Sequence, residues 1–170
     1  MRWNVAILLV AWALSVAAAL AAPAPDYRAA DWRLVRTFDP IPGPQRGNDF
    51  WVLEQDLAAA AKARGEARTA RVLVRAREPG VWRVVTNRYF CEHGQVQALK
   101  TERFAPGARP AREPGEARHP IFPHGPDGAV YRLVCGDSKT DAPVVHGVDA
   151  AFAFEAQADA AFAAAHPPAG

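Results

Sequence analysis

The chain has 170 residues, of which 50% are hydrophobic and 22% charged, and it has a formal net charge of +2. This near-neutral balance gives no general attraction to nucleic acid or to an anionic membrane, so we expect neither as a partner. The length suits one domain, which can bury a hydrophobic core without a structural metal.

The first 21 residues have the three parts of a secretory signal peptide. They are a positive charge at Arg2, an apolar run over residues 5–14 and a small-residue cleavage site that ends at Ala21. Cleavage there leaves a mobile lead-in over residues 22–31, places the protein in the periplasm or outside the cell, and leaves no integral membrane span. The alternative is an uncleaved anchor, because the apolar run is almost long enough to span a bilayer.

The chain contains two cysteines, Cys91 and Cys135. In an oxidising compartment two such thiols are more often paired than free, so we predict a disulfide between them. A loop of this length would stabilise the fold by about 4 kcal/mol in the chain-entropy picture. The bond would also remove the thiolate that cysteine catalysis needs, although His93 lies two positions from Cys91.

Strand patterns begin at Trp32. Alternating side chains predict a strand over residues 32–38, and the prolines and glycines of residues 39–47 end it. A short apolar run over residues 50–53 predicts a second strand. The Ala-rich residues 57–63 come next and predict a short surface helix.

The clearest pattern is a three-stranded antiparallel meander. Its strands are predicted over residues 69–77, 81–90 and 95–104, with tight turns between them and Cys91 at the second corner. In the first strand, small and apolar residues alternate with Arg71, Leu73, Arg75 and Arg77. This alternation predicts one buried face and one basic face.

The C-terminal third has weaker signals. Residues 105–120 are rich in Pro, Gly, Arg and Glu, which predicts a long exposed loop. Residues 126–136 fit a helix or a strand, and Pro126 near the start with Gly136 at the end favours the helix. Residues 137–170 are interpreted as a linker and an Ala-rich helix that begins at Asp149 as its N-cap.

Together these elements predict an α+β fold. A small antiparallel sheet, made of the meander and one or two N-terminal strands, would bear a short disulfide-tethered helix and a C-terminal helix. The disulfide-closed domain would span residues 32–136.

No catalytic constellation stands out, so we expect a protein that is not an enzyme. Beyond the signal peptide the only serine is Ser138, in a polar turn, and single glycines form no phosphate-binding loop, so we expect no cofactor. A periplasmic metal-binding protein is an alternative, although the spacing matches no closed zinc site. Its imidazole ligands would be His93, His119, His124 and His146.

An Arg-rich stretch gives the candidate contact surface. Residues 62–88 contain eight Lys or Arg residues against two acidic residues. A solvated strand face would explain them, and a docking surface for an anionic glycan or an envelope or extracellular protein is the functional hypothesis. The residues proposed for contact are Arg71, Arg75 and Arg77. A third hypothesis is a structural envelope component that docks through Phe154 and Phe162 of the C-terminal helix.

Several segments together resemble a known family. They are the strand that begins at Trp32, the aromatic Phe50-Trp51-Val52, the meander that enters Cys91, and residues 129–135. Over about residues 32–135 the chain resembles the surface-adhesin E family of small exported bacterial proteins. The resemblance implies an antiparallel sheet with a helix tied to it by a disulfide, and adhesion to host extracellular proteins. The chain departs from a surface-tethered member because it has no lipid-anchor cysteine and adds residues 137–170.

Overall fold

A computed structural model describes residues 25–36, 49–136 and 140–167. The predicted signal peptide, the Pro/Gly break and the end of the predicted first strand lie outside these residues. The strands are β1 (Asp31–Arg36), β2 (Asp49–Leu53), β3 (Ala67–Arg75), β4 (Trp82–Phe90), β5 (Gln95–Phe104), β6 (Ala111–Pro114), β7 (His119–Pro120) and β8 (Val144–His146). The helices are α1 (Glu54–Lys62), α2 (Pro126–Cys135) and α3 (Val148–Ala165), and a 3-10 turn spans Tyr27–Ala29.

The described strands form one antiparallel sheet. Its order is β6-β5-β4-β3-β2-β1-β8, and β7 also pairs with β5. Strands β3, β4 and β5 are the predicted meander, and the β4–β5 register shifts at a bulge between Thr86 and Asn87. The predicted α+β class and the antiparallel meander are confirmed.

Both faces of the sheet are buried. One face, here called the aromatic face, packs Trp32, Trp51 and Trp82 against the 3-10 turn and α3. The opposite, aliphatic face packs valines of the sheet against α1 and α2. Leu73 is 0% exposed on the aromatic face. The side-to-side alternation in β3 is therefore right, but the prediction that its Arg71 side is a basic solvent face is wrong, because α3 covers part of it.

Helix α3 is capped at its N-terminus by a glycine in the left-handed region. Gly147 has φ 88°, and a Cβ there would lie 2.8 Å from the carbonyl oxygen of Arg28. The close approach brings α3 onto the aromatic face, where the ring of Phe154 meets Trp51 edge-on with centroids 5.6 Å apart. The Trp51 indole N–H also donates to the buried carboxylate of Glu155 at 2.7 Å. The N-terminal half of α3 is thus part of the core.

Helix α2 is tied to the end of β4 by the predicted disulfide. Cys91 and Cys135 are bonded, and their Cα atoms are 5.3 Å apart. The Tyr131 hydroxyl donates to the Cys91 carbonyl oxygen at 2.5 Å. The helical alternative for residues 126–136 and the pairing of the two cysteines are both confirmed.

Several details differ from the predicted elements. Residues 105–120 are not a continuous loop, since they contain β6 and β7, both paired with β5. The prolines of this segment are typical of a loop, so β6 was not predicted. An edge strand tolerates proline because its outer side does not pair with another strand and needs no N–H donors there. The predicted linker contains β8, which pairs with β1. The predicted N-cap Asp149 is wrong, because Gly147 is the cap and Asp149 lies in the first turn of α3.

Two further segments, one on each side of the meander, pack closely on the sheet. Gly115 lies against the β5 bulge so tightly that a Cβ there would be 2.1 Å from the Ala98 carbonyl oxygen. At the other end of the chain, Tyr27 belongs to the core and is 5% exposed, although it falls in the predicted lead-in. Helix α1 begins at Glu54 rather than Leu57, directly after β2. Through these contacts, segments that precede and follow the meander in the sequence pack on the same sheet.

Candidate functional site

Arg71, one of the three predicted contact residues, is held within the protein. Its backbone N–H and its guanidinium donate to the carboxylate of Asp56 on α1 over distances of 2.5 to 2.8 Å. These hydrogen bonds raise the pKa of Arg71. The guanidinium therefore already has an anionic partner, and its role is to join β3 to α1.

Arg75 and Arg77 are more open. The side chain of Arg75 is 54% exposed, with its guanidinium 3.9 Å from Glu155 and 5.6 Å from the centre of the Phe152 ring. Arg77 follows β3 and is exposed. Of the three predicted contact residues, these two remain accessible to a partner.

Arg75 stands at one end of a row of side chains across the aromatic face. The strand register places it beside Trp82, and Trp82 beside Phe104. The Trp82 and Phe104 rings are stacked, with centroids 3.8 Å apart and planes inclined by 7°. The guanidinium of Arg28 lies 5.6 Å from the centre of the Trp82 ring, which is a cation–π arrangement. Two arginines thus border the stacked pair.

A groove of about 610 Å³ opens between the 3-10 turn and the connection from β5 to β6. The stacked rings of Trp82 and Phe104 lie at its base, and three exposed arginines line it. We call it the arginine groove and define it by Arg28, Arg109 and Arg112 with Trp82 and Phe104. It is a concave surface that combines aromatic rings with cations.

The buried carboxylate in the groove already has hydrogen-bond and ion-pair partners within the protein. Glu102 is 3% exposed. It accepts a hydrogen bond from the Tyr27 hydroxyl at 2.9 Å, and it lies 3.0 Å from Lys100 and 3.5 Å from Arg112. Burial disfavours its ionisation, but the hydrogen bonds from Lys100 and Tyr27 and the charges of Lys100 and Arg112 lower its pKa below the ordinary value. Glu102 is therefore an anion held by its own partners.

Two arginines of the groove lack such a partner. Among the described residues, neither Arg28 nor Arg109 has a carboxylate at ion-pair distance. Asp26, the other acidic residue that lines the groove, accepts a hydrogen bond from the backbone N–H of Arg28 at 3.0 Å and caps the 3-10 turn. The groove consequently presents positive charge that no carboxylate of the described residues neutralises.

None of these three arginines was predicted as a contact residue. Arg28 lies in the predicted lead-in, and Arg109 and Arg112 lie in the predicted loop. They come together because β6 pairs with β5 and because the 3-10 turn packs on Trp82. No periodic pattern in the sequence links the three positions, so no signal was available to find them.

The four candidate metal ligands are spread over the fold. His146 lies in β8 at one edge of the sheet, where its ring is 2.9 Å from Asp31, whereas His119 lies in β7 beside β5 at the other. Within the described residues, no three His, Cys, Asp or Glu side chains are grouped so that they could hold a metal ion. The structure does not bring the proposed imidazoles together.

The two phenylalanines predicted to dock α3 on a partner differ. Phe154 packs inside the protein against Trp51. Phe162 lies in the exposed second half of α3 and stacks on His166, with ring centroids 4.3 Å apart. Docking of α3 on a partner stays a prediction, and only Phe162 is free of the core.

No known protein family, curated protein or solved structure matches the chain. Across residues 25–36, 49–136 and 140–167, no helix combines the length and apolar character needed to cross a membrane.

Proposed function

We propose that the chain is an exported, non-enzymatic binding module whose arginine groove holds the acidic groups of an anionic glycan. The observation that supports this most directly is the set of exposed guanidiniums around the stacked Trp82–Phe104 pair, two of which have no carboxylate partner among the described residues. A planar guanidinium offers paired N–H donors that match carboxylate and sulfate oxygens.

A repeating polymer suits the distribution of charge. Arg28, Arg109 and Arg112 lie in the groove, and Arg75 lies beside it in the row with Trp82. Several separated cations favour a ligand with several regularly spaced anions over one with a single charge. The partly exposed ring of Phe104 adds an apolar surface between the charges, suited to the face of a sugar ring.

Export and adhesion are part of the proposal. A disulfide between the only two cysteines favours an oxidising compartment, the periplasm or the outside of the cell. It also leaves neither sulfur as a nucleophile, which favours binding over thiol catalysis. The resemblance to the surface-adhesin E family suggests an adhesin-like role, for which the arginine groove is the contact surface proposed here.

The test is binding to immobilised heparin and chondroitin sulfate at several salt concentrations. Replacing Arg28, Arg109 and Arg112 by alanine is expected to weaken binding by about tenfold or more, because hydrogen bonds between charged groups contribute about 1.5–3 kcal/mol each. The remaining binding should also depend less on salt.

A matched control removes the same charge elsewhere. Lys62, Arg64 and Arg88 are exposed and do not line the groove. Their triple alanine variant should bind nearly as the unmodified protein does. Equal losses in the two variants would mean that net charge alone drives binding and would contradict the proposal. Tighter binding to poly-glutamate than to either glycan would assign the groove to an acidic protein segment instead.

A further inference from the structure

A second cavity lies on the aliphatic face, away from the arginine groove. It has a volume of about 290 Å³ and lies between strands β3–β5 and the N-terminal turn of α2. Its apolar lining comes from side chains such as Val72, Val74 and Val85, and its polar lining includes Arg83, Glu116 and Asp127. Ligand sites in proteins combine an apolar lining with a few polar groups in this way, and the volume suits a small molecule.

The strand register orders the polar groups along the cavity. Arg83 precedes Val85 on β4, and Val85 is followed on the same face by Asn87. Ala98, the partner of Asn87, accepts a hydrogen bond from the backbone N–H of Glu116. Arg83 and Asn87 are four residues apart, so their Cα atoms are separated by about 13 Å along the strand. The cation thus lies toward one end of the cavity and Glu116 toward the other.

Among the described residues no carboxylate pairs with Arg83, although Glu113 also lines the cavity. The Nε of Arg83 is buried and has no hydrogen-bond partner in the described part of the chain. Its cross-strand neighbours are Val74 and Arg103, and Arg103 is 3.6 Å from Glu78. A buried donor without a partner is costly, and a carboxylate in the cavity would satisfy it.

No lysine or arginine lines the opposite end, where His119 is the basic side chain near Asp127. Burial raises the pKa of Asp127 above its ordinary value; the charge of Glu116 acts in the same direction, whereas His119 opposes it. Among the described residues, neither Asp127 nor Glu116 forms a side-chain hydrogen bond or an ion pair. An ammonium group at this end would relieve the repulsion between the two carboxylates.

We propose that this cavity binds a small zwitterion of dipeptide length, with its carboxylate on Arg83 and its ammonium group at Asp127 and Glu116. The termini of an extended dipeptide are about 7 Å apart, against the roughly 13 Å between the Cα atoms of Arg83 and Asn87, so binding requires the long side chain of Arg83 and the two carboxylates to bridge the difference. The valines of the lining then contact small apolar side chains of the ligand. The proposal does not rest on glycan binding, since the arginine groove lies on the other face.

The experiment is calorimetric titration of protein expressed from the full-length chain and recovered after export. The probe is L-alanyl-L-valine, compared with its N-acetyl derivative, its C-terminal amide and free L-valine. Saturable binding of the dipeptide is expected, and each blocked derivative and free valine should bind about tenfold more weakly, because each lacks one charged contact or the length to make both.

Two variants test which end of the cavity binds the carboxylate of the dipeptide and which binds its ammonium group. Arg83→Gln should bind the dipeptide and its amide equally, and Asp127→Asn should bind the dipeptide and its N-acetyl derivative equally. Arg88→Gln, on the same strand but outside the cavity, and Asp149→Asn, in the first turn of α3, are the matched controls and should retain both discriminations.

Three results would overturn the proposal. One is the absence of saturable dipeptide binding up to millimolar concentration. Another is free valine binding as tightly as the dipeptide. The third is discrimination against the blocked derivatives that survives in Arg83→Gln and Asp127→Asn, provided that both variants keep the thermal unfolding profile of a folded protein.

Discussion

The two faces of the sheet are closed by different chemistry. The aromatic face buries tryptophans with two carboxylates, Glu102 and Glu155, which accept hydrogen bonds from Tyr27 and Trp51. The aliphatic face buries mainly valines and is tied covalently through α2. Breaking a buried ionic contact is costly because it leaves an uncompensated charge, whereas a disulfide acts mainly on the unfolded chain. The aliphatic face is therefore tied covalently by the disulfide, whereas the aromatic face depends on keeping its buried carboxylates paired.

The largest effect is expected from removing the covalent tie. Changing Cys91 and Cys135 to alanine together should lower the free energy of unfolding by about 4 kcal/mol, because the disulfide closes a long loop in the unfolded chain. Chemical denaturation measures this loss. A change of less than about 1 kcal/mol would mean that α2 packs firmly without the bond and that the two faces differ less than we infer.

The next largest effect concerns Trp51. Trp51→Phe removes the donor to the buried Glu155 carboxylate and should cost about 1–3 kcal/mol in addition to the lost ring volume. Trp32→Phe is the control, because the Trp32 indole N–H donates to a neutral acceptor, the Tyr27 carbonyl oxygen, at 3.1 Å. Both indoles are 0% exposed. Equal destabilisation of the two variants would contradict a special role for the carboxylate.

A smaller, pH-dependent loss is expected for Glu102→Gln, about 1 kcal/mol at neutral pH. The pKa of Glu102 is lower in the folded chain than its ordinary value of 4.5, so its carboxylate stabilises the fold fully above that value. The contribution disappears as the pH falls through the folded pKa. Unfolding measured from neutral to acidic pH should therefore show the curves of the variant and the unmodified protein converging below pH 4.5. If the two curves of stability against pH stay parallel into the acidic range, the lowered pKa of Glu102 is contradicted.

The smallest effect has the opposite sign and lies on the other face. Asp127 has a raised pKa, so its ionised form destabilises the fold at neutral pH, and protonation removes that penalty as the pH falls through the folded pKa. Asp127→Asn should give a gain at neutral pH that is smaller than the loss in Glu102→Gln. Thermal unfolding measures it, and a loss of stability would show that Asp127 already has a favourable partner.

The local patterns predicted most of the sheet. Alternation and turns located β3, β4 and β5, because one strand after another repeats the same two-residue period. The bulge could not be predicted. A regular hairpin extended from the Phe90–Gln95 pair would put Arg103 opposite Trp82, whereas the bulge puts Phe104 there. A one-residue shift moves every later side chain to the other face, so the stacked pair in the groove depends on it.

The other features that were not predicted depend on contacts between residues that are distant in the sequence. β6 and β8 are short edge strands, and their sequences contain or adjoin prolines that are typical of loops. Arg71 and Arg75 have the same strand pattern, yet Asp56 of α1 holds one while the other stays exposed. Only the positions of α1 and α3 distinguish them, and single-strand periodicity carries no information on those positions.

The most direct test of the account is an NMR titration with a heparin hexasaccharide. After cleavage of the predicted signal peptide, the indole N–H groups belong to Trp32, Trp51 and Trp82. The account predicts that the Trp82 resonance shifts saturably, while that of Trp51, behind α3, stays in place. A titration that moves Trp51 and leaves Trp82 unchanged would contradict binding at the arginine groove.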